Sequence, residues 1–413
     1  MKSLILLHQY PLVYGYLKEI EDYQKIIIVD ELEENEDKEL YDVFDLVVKV
    51  ENLYSRSEMH NVIQNQIKDG VEIQAIFSPF EGTVEMAGYL RDCFNIRGIG
   101  NDTSIKVRNK NIMKDVVRKN GIKTNECKVI DSVGSISGFI ASYGYPIVLK
   151  PISGYGTINT FMINNDSDLN DILKKLMTID PNGVNTGKYL VETYIEGEEY
   201  YCDSVVQNGE VIACTISKYL HNLINTIDNQ KPVGGIVYPL SKDRDPIIRK
   251  LKAMNYDVIA AIGIDNSVCH LEAFVNDRGE IFFGEIAARV GGGTVIPPCV
   301  KNTTNLDLIK ASIDVGLSGV DRSTIFNRDI YTGFLTFPTL EGKVKNISKI
   351  ADFETESGVI QVKIYNQIGD IIKEQSSTAS RTGFIIVEDV DENQLRSKLL
   401  DFYKRFKLEV EPI

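Results

Sequence analysis

Short apolar runs alternate with longer polar, helix-like stretches over the first hundred residues. Ser3 to Leu7, Ile26 to Val29, Leu46 to Val50 and Ala75 to Phe77 read as strands, separated by segments of crossover-helix length. That order predicts a parallel α/β sheet. The charged run Glu31 to Glu39 reads as a solvated loop or helix start. Lys106 to Asn120 carries a helical pattern closed by Gly121. Strands then dominate: Ile147 to Pro151, Phe161 to Asn164, Tyr189 to Ile195, Tyr200 to Gln207 and Val211 to Ser217. Asn208-Gly209 between the last two is a strong hairpin signal. Pro246 to Ile262 predicts a helix, and Val268 to Ala287 a second hairpin. Beyond Tyr331 strands return, with Gly342, Gly358, Gly369 and Gly383 as turn points, and Glu392 to Phe406 closes the chain as a helix.

These elements occupy 413 residues, enough at about 150 residues per domain for two to four domains with a buried core. With 45 Lys and Arg against 59 Asp and Glu, the net charge of −14 argues against phosphate backbones and anionic membranes as partners. A small anion is still compatible, because a few local cations can hold it. The six cysteines form no CxxC pair and read as reduced, buried thiols. The apolar run Leu4 to Leu7 stops at His8-Gln9, too short for a signal-peptide core. No stretch approaches the roughly 18 apolar residues of a membrane span. A cytoplasmic protein is expected.

Chemistry concentrates in three places. In the hairpin from His270 to Glu285, Asp277 to Glu280 reads as a four-residue loop. If the ladder continues without a bulge, Glu272 stands opposite Glu285, and opposed carboxylates about 4.5–5.5 Å apart at Cβ repel one another. A divalent cation between them resolves the repulsion, since Mg²⁺ takes one or two carboxylates plus phosphate oxygens. A bulge would instead send both into solvent. Arg289 follows Glu285 by four positions and leads into Gly291-Gly292-Gly293, where exposed amides and a guanidinium could stabilise developing negative charge. The second place is Lys150-Pro-Ile-Ser153-Gly154-Tyr155-Gly156-Thr157, small residues after a strand-end lysine that could fold over polyphosphate. It matches neither a Walker A nor a dinucleotide fingerprint. The third is Tyr189 to Glu199, where a Gly197 bend could present amides to an adenine edge, with carboxylates for an exocyclic amine or ribose hydroxyls.

In this order, lysine-bearing helix, Lys-Gly loop, Glu-rich strand end, paired glutamates and Arg-Gly run, the chain resembles the ATP-grasp superfamily over roughly residues 75 to 325. The resemblance implies an α/β protein with an α+β centre: an ATP-grasp fold behind an N-terminal parallel α/β domain, with a strand-rich C-terminal subdomain. The implied boundaries are 1–105, 106–188, 189–328 and 329–413. By the same resemblance Lys110 and Lys150 match the nucleotide-binding lysines, and Ser153 to Thr157 (with Gly154 and Gly156) the phosphate-covering loop. Glu192, Tyr194 and Ile195 match the adenine-binding linker, and Glu199 the ribose-binding acid. Glu272 and Glu285 match the magnesium-bridging pair, and Arg289 the arginine that stabilises the acyl-phosphate. Two positions depart from the pattern: Ala287 where many members carry a metal-binding Asn, and Asn159 where the loop usually ends in Gly.

Within the superfamily the Glu-x-Ala-Ala-Arg pattern and the C-terminal segment look most like the dipeptide-forming L-amino-acid ligases. That implies ATP and Mg²⁺ (or Mn²⁺) as cofactors, and amino-acid or other carboxylate and amine substrates. Transfer to a carrier-protein thiol, carboxylation of a biotin or purine precursor, a silent ATP-binding module and a homodimer are also compatible with it. His8, His60, His221 and His270 do not cluster, which argues against a zinc site. His270 shares a sheet face with Glu272 and reads as a structural histidine or a substrate contact. Lys218 either reaches phosphate or is solvated, and Cys269 and Cys299 read as packing residues. Gly292, the loop Lys231 to Pro239 and the residues after Gly293 are candidate substrate contacts.

Overall fold

The four N-terminal apolar runs become strands β1 (Lys2–Leu7), β2 (Gln24–Val29), β3 (Leu46–Lys49) and β4 (Glu72–Phe77) of a parallel sheet ordered β3-β2-β1-β4. The computed structural model describes residues 2–30, 38–180, 187–227, 231–373 and 381–412. Most of the charged run Glu31 to Glu39 lies outside these residues. Strand β1 is central and apolar on both faces, as a parallel sheet covered on both sides requires. One face packs Ile5, Leu7, Ile26 and Ile28 against Met59, Ile63 and Leu90. The other packs Leu4, Leu6 and Ile27 into a cluster that includes Tyr201, Val268, Val290 and Phe334 from far along the chain. This shared core joins the N-terminal domain to the site described below.

The expected helix Lys106 to Asn120 is two helices, Asn101–Arg108 and Lys110–Lys119. Asn109 separates them in an extended conformation (φ −92°, ψ 101°), and its side chain accepts hydrogen bonds from the amides of Asn111 and Ile112. An asparagine that can cap the backbone favours a new helix start over helix interior. Lys110 is thereby the first residue of a helix, and its own N–H donates to Ile152 O.

The smaller lobe is an antiparallel sheet of β5 (Cys127–Ile130), β6 (Ile147–Pro151), β7 (Phe161–Ile163) and β8 (Tyr189–Thr193), ordered β5-β8-β6-β7. Because β8 pairs with β5 and β6, the chain changes lobe after Thr193, not at the expected 188/189 boundary. The larger lobe contains β9 (Glu198–Gln207), β10 (Glu210–Tyr219), β11 (Gly234–Val237), β12 (Ser267–Val275) and β13 (Ile281–Ala287). Asn208 and Gly209 turn β9 into β10 with φ of 53° and 77°, as the sequence predicts. The C-terminal strands β14 (Tyr331–Thr336), β16 (Val359–Ile364) and β18 (Gly383–Asp389) extend the same sheet, ordered β13-β12-β9-β10-β11-β14-β18-β16. No sheet boundary therefore falls at 329.

A second C-terminal sheet joins β15 (Gly342–Ile347) to β17 (Ile371–Ile372) and β19 (Leu408–Glu411). Strand β19 follows the helix Glu392–Arg405, so the chain does not end in that helix. Gly342 and Gly383 open strands instead of making turns. A Cβ at Gly383 would lie 2.1 Å from Lys363 O, and one at Gly342 2.5 Å from Glu411 O. No helix among the described residues is long and apolar enough to cross a membrane.

Candidate active site

Glu272 and Glu285 are direct cross-strand partners on β12 and β13. They reach this register by two departures from the expected hairpin. The connecting loop is Asn276 to Glu280, closed by Asn276 N–H to Glu280 O, with Val275 opposite Ile281. Pairing continues to Ala273 and Phe283, and then Gly284 stands as an extra residue before Glu272 meets Glu285. The longer loop and the bulge cancel. Glycine is required at the bulge because a Cβ there would sit 2.9 Å from Glu272 O and 3.0 Å from the Phe274 ring. Both carboxylates line a cleft of about 880 Å³, formed between β6 and β8 of the smaller lobe and β12 and β13 of the larger one.

Lysines and carboxylates alternate along this cleft. Glu192 Oε2 lies 2.8 Å from Lys114 Nζ and Glu192 Oε1 lies 2.5 Å from Lys150 Nζ. Glu285 Oε2 lies 3.7 Å from Lys150 Nζ and 3.3 Å from Lys110 Nζ. Burial pushes the Glu192 carboxyl up, but Lys114 and Lys150 outweigh it and hold the pKa at about 2. Burial likewise raises Glu285, and Lys110 and Lys150 bring it to about 2. Lys114 is held below the ordinary lysine value by burial. The Glu192 carboxylate, in the segment matched to the adenine-binding linker, thus pairs with two lysines. Glu199 lies in the same cleft, its Oε2 accepting from Leu223 N–H at 2.7 Å. Burial and the neighbouring Glu272 push its pKa well up. Tyr194 and Ile195 also line the cleft, and the Tyr194 N–H donates to Pro146 O.

The loop after Lys150 closes over the cleft with Gly154, Gly156 and Thr157 on its wall. Gly156, Thr157 and Asn159 have φ of 59°, 60° and 53°. Asn159 keeps the left-handed geometry a glycine would supply, since asparagine tolerates it better than other side chains do. Ser153 does not line the cleft. Its side chain is exposed, and its carbonyl oxygen accepts from Arg108 Nη2 at 2.6 Å. Lys110 Nζ donates to Gly154 O at 2.8 Å, and the Tyr155 ring meets Phe80 edge-on at 5.5 Å.

An adjoining cavity of about 1100 Å³ shares Lys110, Glu272 and Glu285 and adds Arg289, His270, Gly292, Gly293 and Glu81. Arg289 Nε donates to Glu81 Oε2 at 2.5 Å. His270 Nδ1 contacts the buried Asp203 at 2.9 Å, and its Nε2 is 3.7 Å from Glu272 Oε1. Burial lowers the His270 pKa, but Asp203 and Glu272 outweigh it and bring the value to about 9. A Cβ at Gly291 would lie 2.2 Å from His270 Nδ1, and Gly292 and Gly293 have φ of 61° and 52°, so the glycine run makes room for the histidine and turns the chain. Of the candidate substrate segments, Val233, Val295 and Ile296 reach this cavity. Lys218 lines neither cavity; it pairs with Glu198 at 2.5 Å on an adjoining groove. Cys269 and Cys299 are fully buried, and burial holds both thiols above the ordinary range.

Sequence reasoning missed Lys114, Asn125, Arg108 and Glu81. Lys114 had a signal, four positions after Lys110 and so on the same helix face. It also donates to Asn125 Oδ1, and Asn125 in turn holds Thr193 O at 2.6 Å. Arg108 had a weaker one, two positions before Lys110. Glu81 had none, because it lies on a different domain.

Residues 143–297 match the model of the ATP-grasp domain, and residues 334–411 match L-amino acid ligase C-terminal domain 2. The chain is 28% identical over 335 residues to an L-arginine-specific L-amino acid ligase of Bacillus subtilis, covering 81% of this chain and 79% of that one. It is 22% identical over 326 residues to the alanine–anticapsin ligase of Bacillus subtilis (strain 168), covering 74% of this chain and 63% of the relative. The fold is similar to that of an L-amino acid ligase from Bacillus licheniformis, with a TM-score of 0.80 at 16% identity, over 100% of this chain and 99% of that one.

Proposed function

We propose that this chain, whose residues 143–297 match the ATP-grasp domain and residues 334–411 the L-amino acid ligase C-terminal domain 2, joins an amino acid or similar carboxylate to an amine in an ADP-forming reaction. The observation that carries this reading is the opposed pair Glu272 and Glu285, with Glu285 within ion-pair reach of Lys110 and Lys150 and both carboxylates open to the Arg289 cavity.

In this reading Lys110 and Lys150 exchange their carboxylate partners for the phosphates of ATP. The Tyr194 N–H is spent on Pro146 O, so the adenine edge meets the amide of Ile195, and Glu199 faces the ribose. Two opposed carboxylates suit a hard cation that completes its shell with phosphate oxygens, so Glu272 and Glu285 fit Mg²⁺. When bound, the ion offsets charge on the β- and γ-phosphates. The substrate carboxylate attacks the γ-phosphorus and ADP leaves. The Arg289 guanidinium stabilises the acyl-phosphate formed and the tetrahedral state that follows amine attack. Amide and inorganic phosphate are the products. The loop Gly154 to Thr157 excludes water, which would otherwise hydrolyse the acyl-phosphate.

Incubation with MgATP and pairs of amino acids, read by phosphate release and product mass, tests this function. A product of mass equal to the two amino acids less one water is expected. ADP release that needs a carrier protein and yields no amide would overturn it.

A further inference from the structure

Glu81 lies in the short helical turn Glu81–Thr83 after β4, in the N-terminal domain, and is 7% exposed. Its two carboxylate oxygens serve two different arginines. Oε2 accepts from Arg289 Nε at 2.5 Å, and Oε1 accepts from Arg108 Nη1 at 2.6 Å. Arg108 is itself buried and extends the connection, donating from Nη2 to Ser153 O at the start of the phosphate-covering loop. Burial pushes the Glu81 carboxyl up, but Arg289, Arg108 and Lys110 outweigh it and lower the pKa, so Glu81 stays ionised and both bonds are charge-assisted.

We propose that Glu81 is a positioning residue that links the phosphate-covering loop, through Arg108, to the guanidinium of Arg289. The proposal rests on the ligase reading for its consequence but on these contacts for its geometry. The loop has a second tether, Lys110 Nζ to Gly154 O, but Lys110 is the group a phosphate recruits. Once nucleotide binds, the Arg108–Ser153 bond is a polar tether that does not compete with it. The same carboxylate then aims Arg289, so loop closure and the arginine's orientation are set together. Glutamine cannot replace Glu81, because its amide nitrogen would face one of two groups that only donate. With the link broken the loop opens while acyl-phosphate is present. Water then attacks the acyl carbon and returns the carboxylate and inorganic phosphate, so ADP accumulates without amide.

Two readouts on the full chain test this with Glu81→Gln and Arg108→Met. The first is chymotryptic cleavage at Tyr155 in the presence of MgADP; the second is amide formed per ADP released. Both variants should be cleaved about tenfold faster than the wild type and lose most of their amide yield per ADP, the scale expected for one charge-assisted hydrogen bond. Arg108→Met leaves the Glu81–Arg289 contact in place, and methionine fills the buried stem, so it decides the matter if Glu81→Gln fails to fold. Wild-type cleavage rates in Arg108→Met would overturn the link. Cleavage does not depend on the reaction catalysed. If the wild type makes no amide but Tyr155 is exposed in the variants, the ligase reading fails and the link stands.

Discussion

Lys150 Nζ lies 2.5 Å from Glu192 and 3.7 Å from Glu285, so one cation bridges a carboxylate of the smaller lobe to a carboxylate of the larger one. Lys110, Lys114 and Lys150 each pair with a glutamate. These pairs make specific stability and binding effects expected.

Glu192→Gln leaves Lys114 and Lys150 buried without their shared counter-charge, which should cost about 3–5 kcal/mol at neutral pH in a urea titration. The Glu192 pKa is about 2 against an ordinary 4.5, so its contribution is present in full above pH 4.5 and is lost as pH falls toward 2. The stability gap between wild type and variant should close over that window.

Glu285→Gln removes the carboxylate between Lys110 and Lys150. Metal-free ATP should bind at least as tightly as to the wild type, by calorimetry with EDTA. The gain from added Mg²⁺ should vanish and turnover should fall about 10²–10³-fold.

Gly284→Val forces a side chain against Glu272 O and the Phe274 ring. The bulge must move, at about 1–3 kcal/mol of overpacking in thermal unfolding. Turnover should fall much further than stability, because Glu272 leaves its register with Glu285.

Asn159→Gly keeps the positive φ at the end of the loop and should leave KM for ATP unchanged. Asn159→Val should raise that KM and cost about 1–2 kcal/mol, since a β-branched side chain disfavours the left-handed conformation.

Local sequence carried much of this site. Lys150 with the glycines just after its strand, and Glu272 and Glu285 in one hairpin with Arg289 two residues beyond it, lie close together in sequence, where periodicity and turn chemistry act over a few residues. The Glu272–Glu285 register was legible in outcome only. A five-residue loop in place of the expected four and the bulge at Gly284 offset one another.

What the sequence determined by itself was the order of the elements, the parallel N-terminal sheet and the motif set that carries the resemblance to the ATP-grasp superfamily. These depend on apolar spacing and on short-range backbone preference. The tertiary structure alone decided the partners of the charged groups. Arg289 meets Glu81 across 208 residues, and Glu192 meets Lys114 and Lys150. It also decided that the C-terminal strands complete the central sheet. Burial and opposite charge choose such contacts in three dimensions, and no spacing along the chain encodes them.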